Sequence, residues 1–272
     1  FPIFVLPTMI AFTLGFIIPF VEGVYLSFCK FTTVNDAKFI GFANYAKVFA
    51  DETFVHAFWY TAAFTVVSVI LINVLAFAVA LLLTKGFKGT NIFRTVFFMP
   101  NLIGGIVLGY IWQLLLNGIL MKFSRTLTYS STYGFWGLII LMCWQQIGYM
   151  MIIYIAGIQN IPGELIEAAE IDGATKWQIL KKVTIPMVMP SITVCTFLTL
   201  TNSFKLFDQN LALTNGEPSK MSEMLALNIF YTFYGRTGYE GVGQAKAVIF
   251  FILVTVIALT QNYLTRRKEV QQ

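Results

Sequence analysis

The chain has 272 residues, of which 57% are hydrophobic and 11% charged, with a formal charge of +5. A soluble domain of this length needs far more surface charge, so the proportions exclude one and point to a membrane protein. The basic residues are scattered between apolar stretches, which excludes a nucleic-acid interface and suits anchors beside anionic lipid.

Crossing ~30 Å of hydrocarbon takes roughly 20 apolar residues in a helix. Six segments meet that demand: about 3–28, 59–83, 95–116, 134–158, 187–206 and 242–264. None alternates over short runs as a barrel strand would, so the expected fold is all-α, polytopic, with six transmembrane helices in one domain over 1–272. The chain opens at Phe1-Pro-Ile without a Met and is already apolar, so its native start is expected upstream. The first segment is too long for a signal-peptide core and shows no cleavage site. Pro7, Pro19 and Pro100 predict kinks or unwound ends. In the connection 29–57, residues 43–58 interleave apolar and charged side chains and suit a short interfacial helix. Gly105 and Gly109, four apart, suit a close helix approach.

Cys29, Cys143 and Cys195 have no metal-ligand spacing and read as small packing hydrophobes. His56 has no partner nearby in sequence and reads as an interface residue. Glu22 is the main ionisable residue noted inside a span. Lys and Arg are densest in 84–94, 159–187 and the tail (Arg266, Arg267, Lys268), which places those loops and both termini in the cytoplasm.

Between the fourth and fifth spans lies a polar island. Pro162-Gly163 stops one helix and suits the start of another. Glu164 and Glu167 fall in its first turns, where negative charge complements exposed N–H groups. Ala168 and Ala169 are strong helix formers with little bulk. Gly173 offers a left-handed turn, after which Trp177, Leu180 and Thr184 share a face until Pro186. The island is either a helix–turn–helix that enters a groove on another protein or an ordinary solvated loop.

Glu167-Ala-Ala169, Gly173 and Val183-Thr-Ile-Pro186, with Asp172-Gly-Ala174, resemble the cytoplasmic Glu-Ala-Ala loop of bacterial ABC importer permeases. Val183 and Ile185 depart from the usual residues but keep their volume. Trp144-Gln-Gln-Ile-Gly-Tyr149 running to Pro162, and Phe204-Lys-Leu-Phe-Asp208 with Leu213–Pro218, are similar to the same family; Glu217 breaks its usual Gly-Gly-Pro. The resemblance covers nearly the whole chain and is to carbohydrate-uptake permeases of the maltose-transporter membrane-subunit type. It implies a type I importer permease in a bacterial plasma (inner) membrane, with a coupling helix that engages a separate ATPase. Glu164, Glu167, Ala168, Ala169, Asp172, Gly173, Ala174 and Pro186 would form that contact. It also implies a second permease subunit, two ATPase subunits holding ATP and Mg, an extracytoplasmic solute-binding protein and a sugar.

Polar side chains at lipid depth are costly unless they face a partner or a wet path. Gln145, Gln146 and Tyr149 cluster in the fourth span, and Thr199, Asn202, Ser203 and Lys205 in the fifth. Amides and hydroxyls of this kind suit a sugar, and equally suit hydrogen bonds between helices. By the resemblance, sugar contacts come from Gln145, Gln146, Tyr149, Thr199, Asn202, Ser203 and Leu206. Lys205 and Asp208 could pair at a helix end; Asn73 and Gln113 read as packing residues. No phosphate-cradling Gly-x-x-x-x-Gly-Lys-[Ser/Thr], nucleophile–base set or metal cluster occurs, so the chain is expected to be no enzyme and to bind no cofactor or metal. The rival readings are an ion-coupled secondary transporter, a membrane-bound enzyme, and the same importer class carrying glycerol phosphate or another polyol.

Overall fold

A computed structural model of the chain describes residues 2–86 and 88–266. Helices dominate because an apolar segment in hydrocarbon can satisfy its backbone only internally. In chain order they are α1 (Phe4–Leu26), α2 (Ala43–Phe49), α3 (Glu52–Leu83), α4 (Thr90–Phe98), α5 (Gly105–Leu120) and α6 (Ser131–Gln159). There follow α7 (Gly163–Ile171), α8 (Lys176–Met187), α9 (Met189–Phe204), α10 (Asp208–Leu213), α11 (Leu225–Tyr234) and α12 (Glu240–Arg266). Among the described residues α1, α3, α5, α6 and α12 are long and apolar enough to span a membrane. The bent pair α8 and α9, at 69° to each other, makes the sixth span. The fold is thus all-α and polytopic.

Several boundaries differ from the sequence reading. The third span starts at Gly105, not near 95, because Pro100 falls in a 3-10 turn and Ile103 and Gly104 are extended. Residues 43–58 do not form one interfacial helix. Asp51 interrupts them, accepting from the Thr53 amide and hydroxyl at 3.0 and 2.7 Å, and so caps the new helix α3. In α1 the bend is a π turn over Thr13–Ile17, just before Pro19. Arg267 and Lys268 lie outside the described residues.

The chain packs as two compact units. Of the described residues, the first holds 2–58 and 225–255. Its apolar core joins Val48, Phe54, Ala57, Leu225, Val242 and Ala245. Buried Asn44 donates to the carbonyls of Ser27 and Cys29 at 2.9 and 2.8 Å and closes the loop after α1. Gly241 has no room for a Cβ, which would meet the Cys29 carbonyl and Asn44.

Lys246, an ionisable residue in the last span that the sequence reading passed over, is fully buried in this unit. Its Nζ donates to Asp51 Oδ2 at 2.7 Å, Asn228 Oδ1 at 2.7 Å and Thr232 Oγ1 at 2.8 Å. One ammonium therefore joins the start of α3, α11 and α12. Of the described residues, the second unit holds 59–86, 88–224 and 256–266. Its core runs along α3, α6 and α9, from Phe64 through Leu138 and Met151 to Cys195.

The Lys246 side chain is 0% exposed and that of Asp51 20%. Asp51→Asn strands a buried ammonium and is expected to cost about 3–5 kcal/mol. Lys246→Met leaves a carboxylate that still reaches water and should cost less. Burial pushes the Asp51 carboxyl up, but hydrogen bonds from Lys246 and Thr53 outweigh it and hold the group at about 2. Its stabilisation is therefore complete above the ordinary carboxylate range and is lost only as pH falls through about 2. Thermal unfolding of the two variants in detergent at neutral pH checks the order.

Candidate functional site

In the second unit two interrupted helices meet. One break, Met99–Gly104, separates α4 from α5; the other, 205–207, separates α9 from α10. Gly105 and Gly109 let α10 lie directly on α5: a Cβ on either would sit 2.7 Å from the Cβ of Asp208 or Ala212. The close approach read from their spacing is made within this chain. Gln113 Nε2 donates to the Leu213 carbonyl at 3.0 Å and ties the far end of α10 to α5.

Breaks leave carbonyls without helical partners, and the glutamines of α6 stand beside them. Gln145 Nε2 donates to the Ile103 carbonyl at 3.4 Å, while its Oε1 accepts from Gln209 Nε2 at 2.8 Å. On α9, before the break, Asn202 Nδ2 reaches Gln146 Oε1 at 3.5 Å. Four uncharged amides are thus gathered where two helices are broken. Tyr149 is half-buried, its ring 6.4 Å from that of Phe98.

The expected contacts separate into two sets. Gln145, Gln146 and Asn202 come together, with Tyr149 beside them. Thr199 and Ser203 are fully buried and Leu206 nearly so, facing the core. Thr199 Oγ1 donates to the Cys195 carbonyl at 2.7 Å. Gln209 was missed by the sequence reading, and Asp208 was seen only as an ion-pair partner for Lys205. The available signal was an Asp-Gln pair just beyond the apolar run, where a helix restarts.

The polar island is two short helices around a tight turn. Gly173 has φ +77, the left-handed conformation that its position demands. Thr175 and Gln178 form a reciprocal capping box at the start of α8. A π turn over Leu180–Thr184 then shifts the buried face to Ile179, Thr184 and Val188. Of the face read from the helical period, Thr184 is buried and Leu180 partly so, but not Trp177. It is 68% exposed, and Ile171 on the other side of Gly173 is 86% exposed. Ala169, Asp172, Gly173, Ala174 and Lys182 line a shallow groove in the elbow.

Six apolar spans, paired helix breaks lined by neutral amides and a solvent-exposed helical elbow define a permease subunit of the ABC importer class. The chain belongs to the family of binding-protein-dependent transport system inner membrane components, matched over residues 72–270. It is 42% identical to the probable starch degradation products transport system permease protein AmyD of Thermoanaerobacterium thermosulfurigenes, over 99% of this chain and 94% of the relative. The trehalose/maltose transport system permease protein MalF of Thermococcus litoralis is 27% identical over 92% of this chain and 88% of its own length. The structure of a bacterial ABC transporter involved in the import of the acidic polysaccharide alginate shares the fold. Its TM-score is 0.82 at 22% identity, covering 97% of this chain and 94% of that one. The class expected from sequence, a multi-pass inner-membrane importer permease of the carbohydrate-uptake type, is the class of this protein.

A Cβ on Gly148 would overlap the Phe97 carbonyl, so α4 and α6 touch backbone to backbone there. Gly148→Val is expected to lower stability by at least about 1–3 kcal/mol, because a backbone neighbour cannot yield as a side chain can. Gly118→Ala, with nothing within 4 Å of the new carbon, should be neutral or slightly stabilising. Melting temperatures of the two purified variants check the contrast.

Proposed function

We propose that this chain is one of two permease subunits of an ATP-driven sugar importer, and that its elbow receives force from a separate ATPase. The observation that carries the coupling reading is the pair of highly exposed apolar side chains, Ile171 and Trp177, flanking Gly173 on a protrusion rich in charged residues. Large apolar groups on a wet surface favour a partner that covers them. Glu164, Glu167, Ala168, Ala169, Asp172, Ala174 and Pro186 complete the surface that enters the partner's groove.

Two ATPase subunits hold ATP and Mg, and an extracytoplasmic binding protein delivers the cargo. Both termini and the elbow then lie in the cytoplasm. Closure of the ATPases on ATP binds one arrangement of the elbows better than the other and so shifts the permease between inward- and outward-open states. Hydrolysis reverses the bias.

The cargo assignment rests on the amides at the helix breaks. Gln145, Gln146, Asn202 and Gln209 are uncharged and each can both donate and accept, which suits a hydroxyl-rich neutral ligand. Tyr149 offers a ring face beside them. Thr199, Ser203 and Leu206 hold this layer from behind. Relatives named for starch degradation products and for trehalose and maltose make an oligoglucoside the cargo to test first.

The test is uptake of radiolabelled maltotriose by the complete complex in proteoliposomes. Gly173→Pro forbids the φ of +77 at the turn, and Glu167→Lys inverts charge on the docking face. Each variant should remain inserted yet lose ATP-driven uptake by about tenfold or more. Undiminished uptake by either would count against the lever.

A further inference from the structure

Asn73 lies deep in the span α3, set aside by sequence as a packing residue. In the second unit it is the meeting point of three membrane helices. Its Nδ2 donates to the Val69 carbonyl of its own helix at 2.8 Å and to Thr199 Oγ1 of α9 at 3.3 Å. Its Oδ1 accepts from Tyr154 Oη of α6 at 2.6 Å.

The direction of every bond in this chain is fixed. Val69 offers only a carbonyl, which decides the nitrogen end of the amide. Thr199 spends its hydrogen on the Cys195 carbonyl, at 2.7 Å, and so must accept from Asn73. Tyr154 must then donate to the remaining oxygen. Both amide hydrogens and the amide oxygen are used, as a polar group surrounded by hydrocarbon requires. The buried Tyr154 ring stands edge-on to Phe77 with centroids 5.3 Å apart, which leaves its hydroxyl little freedom. Cys195 Sγ, 3.7 Å from the Met150 carbonyl, makes a second, weaker tie between α6 and α9.

The two helices so joined are those that carry the amide layer. Thr199 is less than one turn from Asn202 on α9. Tyr154 is eight residues, about 12 Å, from Gln146 on α6. We infer that Asn73 is a positioning residue: through Tyr154 and Thr199 it sets the separation of α6 and α9, and hence the contact between Gln146 and Asn202. It touches no cargo itself. The assignment rests on the sugar-path reading only for its consequence in transport; the geometric part stands alone.

The test therefore has two arms. In the first, Gln146→Cys and Asn202→Cys are introduced together into the complete complex, and the oxidised peptide pair is quantified by mass spectrometry. Asn73→Leu added to this pair should lower the cross-link yield by about fivefold. Asn73→Asp, assayed at about pH 5 so that its acid form can donate to Thr199 and accept from Tyr154, should restore most of it. In the second arm, maltotriose uptake per inserted molecule should fall in Asn73→Leu and recover in Asn73→Asp, with Gln146 and Asn202 intact. Should Asn73→Leu fail to insert, Tyr154→Phe removes one hydroxyl alone and must lower both signals.

An unchanged cross-link yield in Asn73→Leu, or an Asn73→Asp variant as impaired as Asn73→Leu, overturns the assignment. If the unmodified complex takes up no maltotriose, the cargo reading fails while the cross-link arm still decides the role of Asn73.

Discussion

A backbone carbonyl in hydrocarbon must find a hydrogen, and that requirement organises the membrane part of this chain. At three backbone carbonyls of the second unit a side-chain amide from another helix supplies the donor. Gln145 reaches Ile103, Gln113 reaches Leu213 and Gln261 reaches Thr193. Without the Gln145 amide the break at 99–104 would leave the Ile103 carbonyl short of a donor. With such donors the chain can end and restart helices inside the bilayer and gather neutral amides at the restart. The same groups that make irregular backbone tolerable thus furnish the chemistry of the candidate path.

A second constraint is the absence of a hydrophobic drive between helices that already sit in lipid. Contact must then come from fit. Gly105 and Gly109 admit α10, Gly148 admits the Phe97 carbonyl, and Gly157 admits Ser191. Three of these four approaches surround the amide layer or its supports. The first unit solves the same problem differently, with one fully buried ammonium shared among three oxygens. An ion pair of that kind is costly to desolvate and adds little net stability, but its removal is punishing on one side only, which fixes the register of α12 against α3.

Much of this was legible in the chain. Apolar length announced the spans, and Pro162, Gly163 and Gly173 announced the elbow, because those signals are local. The π turns were not legible, since an extra residue per turn leaves no mark in a 3.6-residue pattern. Lys246 was overlooked because it stands near the start of an apolar span and its partners Asp51 and Asn228 lie outside that span in sequence. For the same reason Asn73 read as mere packing. Gln145 and Gln146 stood out as polar residues in a span, but sequence could not say that Thr199 and Ser203 turn inward while Gln209 joins the layer. That depends on how α9 breaks after Phe204.

The elbow carries its own explanation of why it is built from short-range rules. A helix of nine residues such as α7 is too short to be stable from propensity alone. Here α7 is favoured by its alanines and closed by the left-handed Gly173, and the capping box of Thr175 with Gln178 starts α8 directly after the turn. Local order of this kind survives when Ile171 and Trp177 are uncovered, so a partner that buries them need not also pay to fold the elbow. A lever that is stiff before it is grasped transmits displacement; one that folds on contact would absorb it. The π turn at Leu180–Thr184 stands between this stiff elbow and α9. Under the proposed coupling, displacement received at Gly173 would reach the helix of Thr199 and Asn202 through two irregularities, this π turn and the 69° bend at Val188.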